Sequence, residues 1–174
     1  RMRERDHAPL APTRTRPLPS HACAPILVDA MADTQTARSE SDLHDAHLPE
    51  PVADWFADRC WAPHAHQLEM LAAGRAGRSA LLIAPTGGGK TLAGFLPSLC
   101  QLAERPREGL HTLYISPLKA LTQDIQRNLE TPVSEMGLDV SVETRTGDTP
   151  QGKRKRQRLN PPNMLLTTPE SLAL

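Results

Sequence analysis

Eight consecutive residues carry the clearest chemistry in this 174-residue sequence: Ala84, Pro85, Thr86, Gly87, Gly88, Gly89, Lys90 and Thr91. Glycines lack a Cβ, so backbone N–H groups can close around an anion. A helix that starts at such a turn adds partial positive charge at its N-terminus. Lys90 supplies a full charge suited to the β- and γ-phosphates of a nucleoside triphosphate, and the Thr91 hydroxyl suits Mg²⁺. The order matches the phosphate-cradling pattern G-x-x-x-x-G-K-[S/T], except that Ala84 stands at its first glycine. The competing reading is a glycine turn that binds no nucleotide. An apolar run before the turn and helical spacing after it argue for the cradle.

Three further turns share one design: Ser116-Pro117, Thr149-Pro150 and Thr168-Pro169. A hydroxyl residue is a natural N-cap and proline suits the first helical position. Capping explains each turn taken singly. Together, three helix starts on one rim beside a nucleotide would suit a phosphodiester backbone, held without reading bases. Lys153, Arg154, Lys155, Arg156 and Arg158 form a basic run with no acidic residue between Asp148 and Glu170. A solvated helix face is the first reading of that run and contact with a DNA backbone the second, since no aromatic is interleaved to stack bases. His64, His66 and the other histidines have no ligand partners at metal-binding spacing.

Periodicity supplies the elements that must position these residues. Residues 80–84, 112–115, 140–146 and 164–167 read as strands, the first a continuous apolar run such as a covered parallel strand shows. Leu92, Phe95, Leu96, Leu99 and Leu102 recur at helical spacing, with Pro97 predicting a kink and Pro106 a stop. Leu118, Leu121, Ile125 and Leu129 mark the next helix. Ala65, Leu68, Leu71 and Ala72 mark an earlier one, with Gly74 expected at its C-cap. Strands and helices that alternate over short connections predict an α/β fold with a parallel sheet and right-handed crossovers.

Lys and Arg number 20 and Asp and Glu 20, so local placement, not net charge, must draw any polyanion. Cys23, Cys60 and Cys100 show no C-x-x-C and no even count, which predicts unpaired thiols and a reducing cytoplasm over a disulfide scaffold or zinc site. No apolar run reaches the roughly 20 residues of a membrane helix. Residues 1–47 lack helical or strand period and read as a disordered tail, with Met31 a candidate start.

The stretches "WAPHAHQ", "APTGGGKT", "YISPLKAL", "TRTGDTP" and "LLTTPESL" resemble the Q motif, motif I, motif Ia, the TGD element and motif Ib of superfamily-2 DExH-box helicases. The resemblance is nearest to the large helicase-related group, in particular the DNA-ligase-associated helicases of bacteria. It spans residues 48–174 and implies a P-loop NTPase fold, with this stretch the N-terminal part of the first RecA-like ATP-binding domain. Gln67 would then read the adenine edge. Pro85 to Gly89 would cradle the phosphates, while Lys90 and Thr91 serve catalysis, Thr91 on the metal. Ser116, Pro117 and Lys119, then Thr146, Gly147 and Asp148, then Thr167, Thr168, Pro169 and Glu170 would meet one DNA strand. Trp61 would pack as a core aromatic or near the base. The implied cofactors are ATP and Mg²⁺. The implied partners are single-stranded or partly duplex DNA and a DNA ligase or nuclease, in cytoplasmic DNA repair with 3′-to-5′ movement. The family's motif II carboxylates and second-domain arginines have no counterpart in this sequence, so this stretch alone is expected to be a fragment of low stability without useful turnover. A P-loop kinase acting on a small molecule, a non-catalytic nucleotide-dependent module and an RNA helicase remain the alternatives.

Overall fold

A computed structural model describes residues 47–172. The expectations for residues 1–46, a disordered tail and a start at Met31, lie outside them.

The chain forms α1 (Glu50–Asp58), α2 (Ala65–Arg75), α3 (Lys90–Glu104), β1 (Thr112–Ile115), α4 (Lys119–Glu135), β2 (Val142–Arg145), α5 (Gln151–Leu159), β3 (Met164–Thr167) and α6 (Pro169–Leu172). The three strands are parallel in the order β1-β3-β2. Thr112 and Val142 both pair with Met164, and Ile115 and Arg145 both pair with Thr167. The α/β reading therefore holds, and every strand-to-helix turn falls on one carboxyl edge.

The core is built around α3, which is apolar on two faces. Phe95, Leu99 and Leu102 pack with Ile125, Leu129 and Val133 of α4 and with Val142, Met164 and Leu166 of the sheet. Leu96 and Cys100 face Val52, Trp55 and Phe56 of α1, Leu71 of α2, and Met136. Burial of a large apolar side chain stabilises by about 1.5–3 kcal/mol, so a helix sandwiched this way holds both layers together. The helix continues through Pro97 and ends before Pro106. A Cβ added at Gly74 would lie 2.7 Å from Pro97 Cβ, so Gly74 serves the close crossing of α2 and α3. The expected C-cap role passes to Ala76, because α2 runs past Gly74 to Arg75.

Four expectations are corrected. Residues 80–84 pair with no strand, and Leu81 and Ile83 are 85% and 86% exposed. A strand exists only through its ladder, and this segment has none. The inward face of α2 is Gln67, Leu71 and Ala73, so that of the expected stripe Leu71 is buried while Ala65 is exposed and Leu68 and Ala72 are half-buried. Trp61 is 58% exposed, its ring set edge-on to Trp55 at 5.8 Å beneath the Arg59 guanidinium. Cys60, on the exposed turn after α1, is disulfide-bonded, whereas Cys100 inside α3 is a free buried thiol.

One polar knot was not foreseen. Asn163 accepts from Ser141 N and Oγ at 2.9 and 3.0 Å and donates from Nδ2 to the carbonyls of Arg107 and Gly109. It joins the entrances of all three strands at the edge opposite the turns.

Candidate functional site

The glycine loop sits where α3 begins. Gly87 and Gly89 have φ of 81° and 69°, the left-handed region, and Gly88 N donates to Pro85 O at 3.3 Å. A side chain at either position would be strained. Gly89 is the N-cap of α3, so the loop's N–H groups and the free donors of the first helical turn gather at one point. The Lys90 ammonium lies across the loop, donating to Ala84 O at 2.7 Å and Pro85 O at 2.6 Å. Thr91 follows one residue on, half-buried.

Gln67 is 3% exposed and braces this loop. Its Oε1 accepts from His64 N at 2.8 Å, closing the N-terminus of α2, and its Nε2 donates to Gly89 O at 3.4 Å. A Cβ on Gly89 would meet Nε2 at 2.7 Å. The fold therefore ties Gln67 to the loop's last glycine.

Helix α3 runs antiparallel to β1. His111 Nε2 lies 3.0 Å from Gln101 Oε1, Thr112 Oγ1 donates to Ser98 Oγ at 2.8 Å, and the Tyr114 and Phe95 rings are 5.5 Å apart. Partners descend α3 as they ascend β1, which carries Lys90 and Thr91 to the carboxyl end of β1, the edge that Ser116 occupies. A cavity of about 290 Å³ lies between the first turns of α3 and β1, lined by Lys90, Thr91, Gly94 and Phe95 on one side and residues 112–114 on the other, with Ile125.

The other turns share that edge. Ser116 is 1% exposed, and its N–H donates to Thr167 O at 3.0 Å, joining the ends of β1 and β3. Lys119 Nζ reaches both carboxylate oxygens of Asp148 at 3.0 Å, so the turn after β1 and the Thr146-Gly147-Asp148 turn after β2 are bridged. Thr146 N donates to Thr149 Oγ1 at 2.9 Å and Thr149 N returns to Thr146 O at 3.1 Å, a self-closed loop. Thr167 Oγ1 donates to Arg145 O at 2.7 Å, and Thr168 Oγ1 to Ser171 Oγ at 3.1 Å. Both threonine side chains are buried, while Pro169, Glu170, Pro117 and Gly147 face outward.

The expected hydroxyl caps are corrected in detail. Leu118 precedes α4 and Pro150 precedes α5, neither helix carrying a side-chain cap. Ser116 stands two residues and Thr149 one residue further out, and both brace their turns; Thr168 alone directly precedes its helix. Sequence reasoning also missed Arg154, whose guanidinium donates to Thr149 O, Thr146 O and Gly147 O at 2.8, 3.1 and 2.6 Å. Within a run of like residues nothing marked it out.

Comparison with known proteins agrees with this arrangement. Residues 64–174 match the DEAD/DEAH box helicase family. The Lhr helicase/probable uracil glycosylase of Mycolicibacterium smegmatis is 43% identical over 134 residues, 70% of this chain and 9% of that protein. ATP-dependent helicase Lhr-Core protein 2 of Thermococcus barophilus is 37% identical over 142 residues, 73% of this chain and 16% of that protein. Among solved structures, Mycobacterium smegmatis helicase Lhr bound to ssDNA and AMP-PNP superposes with a TM-score of 0.66 at 39% identity, over 72% of this chain and 17% of that one. The DUF1998 helicase MrfA bound to DNA and AMPPNP does so with a TM-score of 0.64 at 28% identity, again over 72% and 17%. The chain thus spans only 9% to 17% of the length of these relatives.

Proposed function

The chain belongs to the DEAD/DEAH box helicase family, and from that premise we propose that it is the ATP-binding portion of an ATP-dependent DNA helicase or translocase. The observation that carries the reading is the shared edge: the turns at Ser116, Thr146–Asp148 and Thr168 follow the carboxyl ends of parallel strands, and the antiparallel run of α3 against β1 carries the glycine loop with Lys90 toward the same edge. A triphosphate held by the first and a phosphodiester chain held by the others would be neighbours, so a change at the nucleotide would be felt by the polymer.

The residues fit ATP. The left-handed glycines open backbone N–H groups, Gly87 has clear space on its Cβ side, and the Lys90 ammonium needs only to leave two carbonyls to meet phosphate oxygens. Gln67 stands beside the cradle, as an adenine-reading residue would. Thr91 offers one hydroxyl to Mg²⁺. The described residues hold no cluster of three ligating side chains, so the ion would arrive on the triphosphate. Bound there, Mg²⁺ would neutralise charge on the phosphates.

DNA is preferred over RNA because the Lhr and MrfA helicases were solved bound to DNA. Repair as the setting, cytoplasmic residence and a ligase or nuclease as co-worker rest on the sequence resemblance alone. No helix among the described residues is long and apolar enough to cross a membrane.

The test is ATP hydrolysis by the full-length protein with and without single-stranded DNA. Stimulation by DNA that is lost on Lys90→Ala supports the motor. Nucleotide-dependent phosphorylation of a small molecule, indifferent to DNA, would overturn it. The 174-residue chain alone is expected to bind a fluorescent ATP analogue but not to turn it over, since it lacks the family's catalytic carboxylates.

A further inference from the structure

The basic run on α5 is divided by the helix into two populations. Lys153, Arg156 and Gln157 turn toward Glu143 of β2: Arg156 Nη2 reaches its carboxylate at 2.6 Å, Gln157 Nε2 at 2.8 Å and Lys153 Nζ at 3.8 Å. Those cations are answered. Arg145, Arg154, Lys155 and Arg158, with Gln151, instead line a cavity of about 440 Å³ beside the carboxyl end of β2. Among the described residues none of these four cations has a carboxylate partner. Arg154 is oriented by three carbonyls of the turn that follows β2, all neutral acceptors, so its charge is positioned without being cancelled.

We propose that this cavity is a phosphate-binding pocket for a nucleic-acid backbone, contiguous with the Thr146-Gly147-Asp148 turn and additional to it. The choice of a nucleic acid as ligand rests on the helicase reading above. The pocket itself rests on its lining. Four uncompensated cations around one concavity repel one another, and a polyanion relieves that repulsion by releasing its own counterions. Charge contacts of this kind position a strand without reading sequence. An acidic protein segment would satisfy the same cations. The backbone of a strand is favoured because Arg154 ties the pocket to a turn on the strand-facing edge, so a polymer lying along that edge passes the mouth of the cavity.

The Lys155 and Arg158 side chains make no hydrogen bond or ion pair among the described residues, so Lys155→Gln with Arg158→Gln leaves the fold intact, which circular dichroism checks. Binding of a labelled thymidine oligonucleotide is then followed by fluorescence anisotropy over a range of salt, alongside binding of a fluorescent ATP analogue. Each single-strand phosphate contact contributes about 0.7 to the slope of log affinity against log salt, so the double variant should lose about 1.4 of slope while nucleotide affinity is unchanged. Lys153→Gln, a residue already paired, should lose much less. A folded double variant with the wild-type slope overturns the pocket and leaves the helicase reading standing. Failure of the wild-type chain to bind the oligonucleotide while it binds nucleotide overturns both. Displacement by polyglutamate with an unaltered DNA slope would assign the pocket to an acidic protein instead.

Discussion

At the scale of single residues, the glycine loop shows how little freedom the cradle has. Gly89→Ala would force a left-handed Cβ into Gln67, at about 1–3 kcal/mol for the backbone strain alone, and would part the loop from its brace. We expect a melting midpoint several degrees lower and at least tenfold weaker binding of a fluorescent ATP analogue. Lys90→Ala should weaken binding as much with no loss of stability, because its bonds in this structure are to partly exposed carbonyls. Comparing the two variants by thermal melting and anisotropy separates charge from shape. Cys100 gives a different readout. Burial pushes its thiol up to about 12, so it should resist alkylation at neutral pH until the chain is denatured, which mass spectrometry follows.

At the scale of elements, polar ties fix how strands and helices meet. Asn163 closes the entrances of the sheet, and Asn163→Ala strands donors and acceptors that are largely buried. A cost of about 1–3 kcal/mol is expected in urea unfolding. The joint between α1 and α4 is electrostatic. The Trp55 indole N–H, donating at 3.0 Å, and then the Arg59 guanidinium hold the Glu135 carboxyl below its ordinary value of 4.5. A carboxyl whose folded pKa is lowered contributes its stability above 4.5 and surrenders it as pH falls through the lower folded value. Glu135→Gln should therefore melt below the wild type near neutrality, with the gap closing as pH falls below 4.5 and through the lower folded value. A gap that is constant with pH would remove Glu135 from that role.

At the scale of the whole molecule, the uncovered segment matters most. Leu81 and Ile83 are exposed in a chain whose core otherwise centres on α3, and unpaired extended backbone beside apolar side chains invites association between copies. Leu81→Ser with Ile83→Ser should leave the melting midpoint within about two degrees, since neither side chain is buried, while light scattering at high concentration falls. Leu99→Ala, fully buried in the cluster of α3, α4 and the sheet, should by contrast cost about 2–5 kcal/mol.

By itself the sequence determined the α/β class, two of the strands to the residue (112–115 and 164–167), a glycine turn opening the helix that carries Lys90 and Thr91, and the family. Those signals are local: strand and helix differ in apolar period, and a phosphate loop needs its glycines and lysine in fixed order. Only the tertiary structure decided which hydroxyls brace turns instead of capping helices, that Gly74 serves a helix crossing, and that residues 80–84 form no strand. It alone divided one basic run between Glu143 and an open pocket. Each of those outcomes depends on a partner distant in sequence, and charge or polarity in a one-dimensional string does not say which neighbour will arrive to neutralise it.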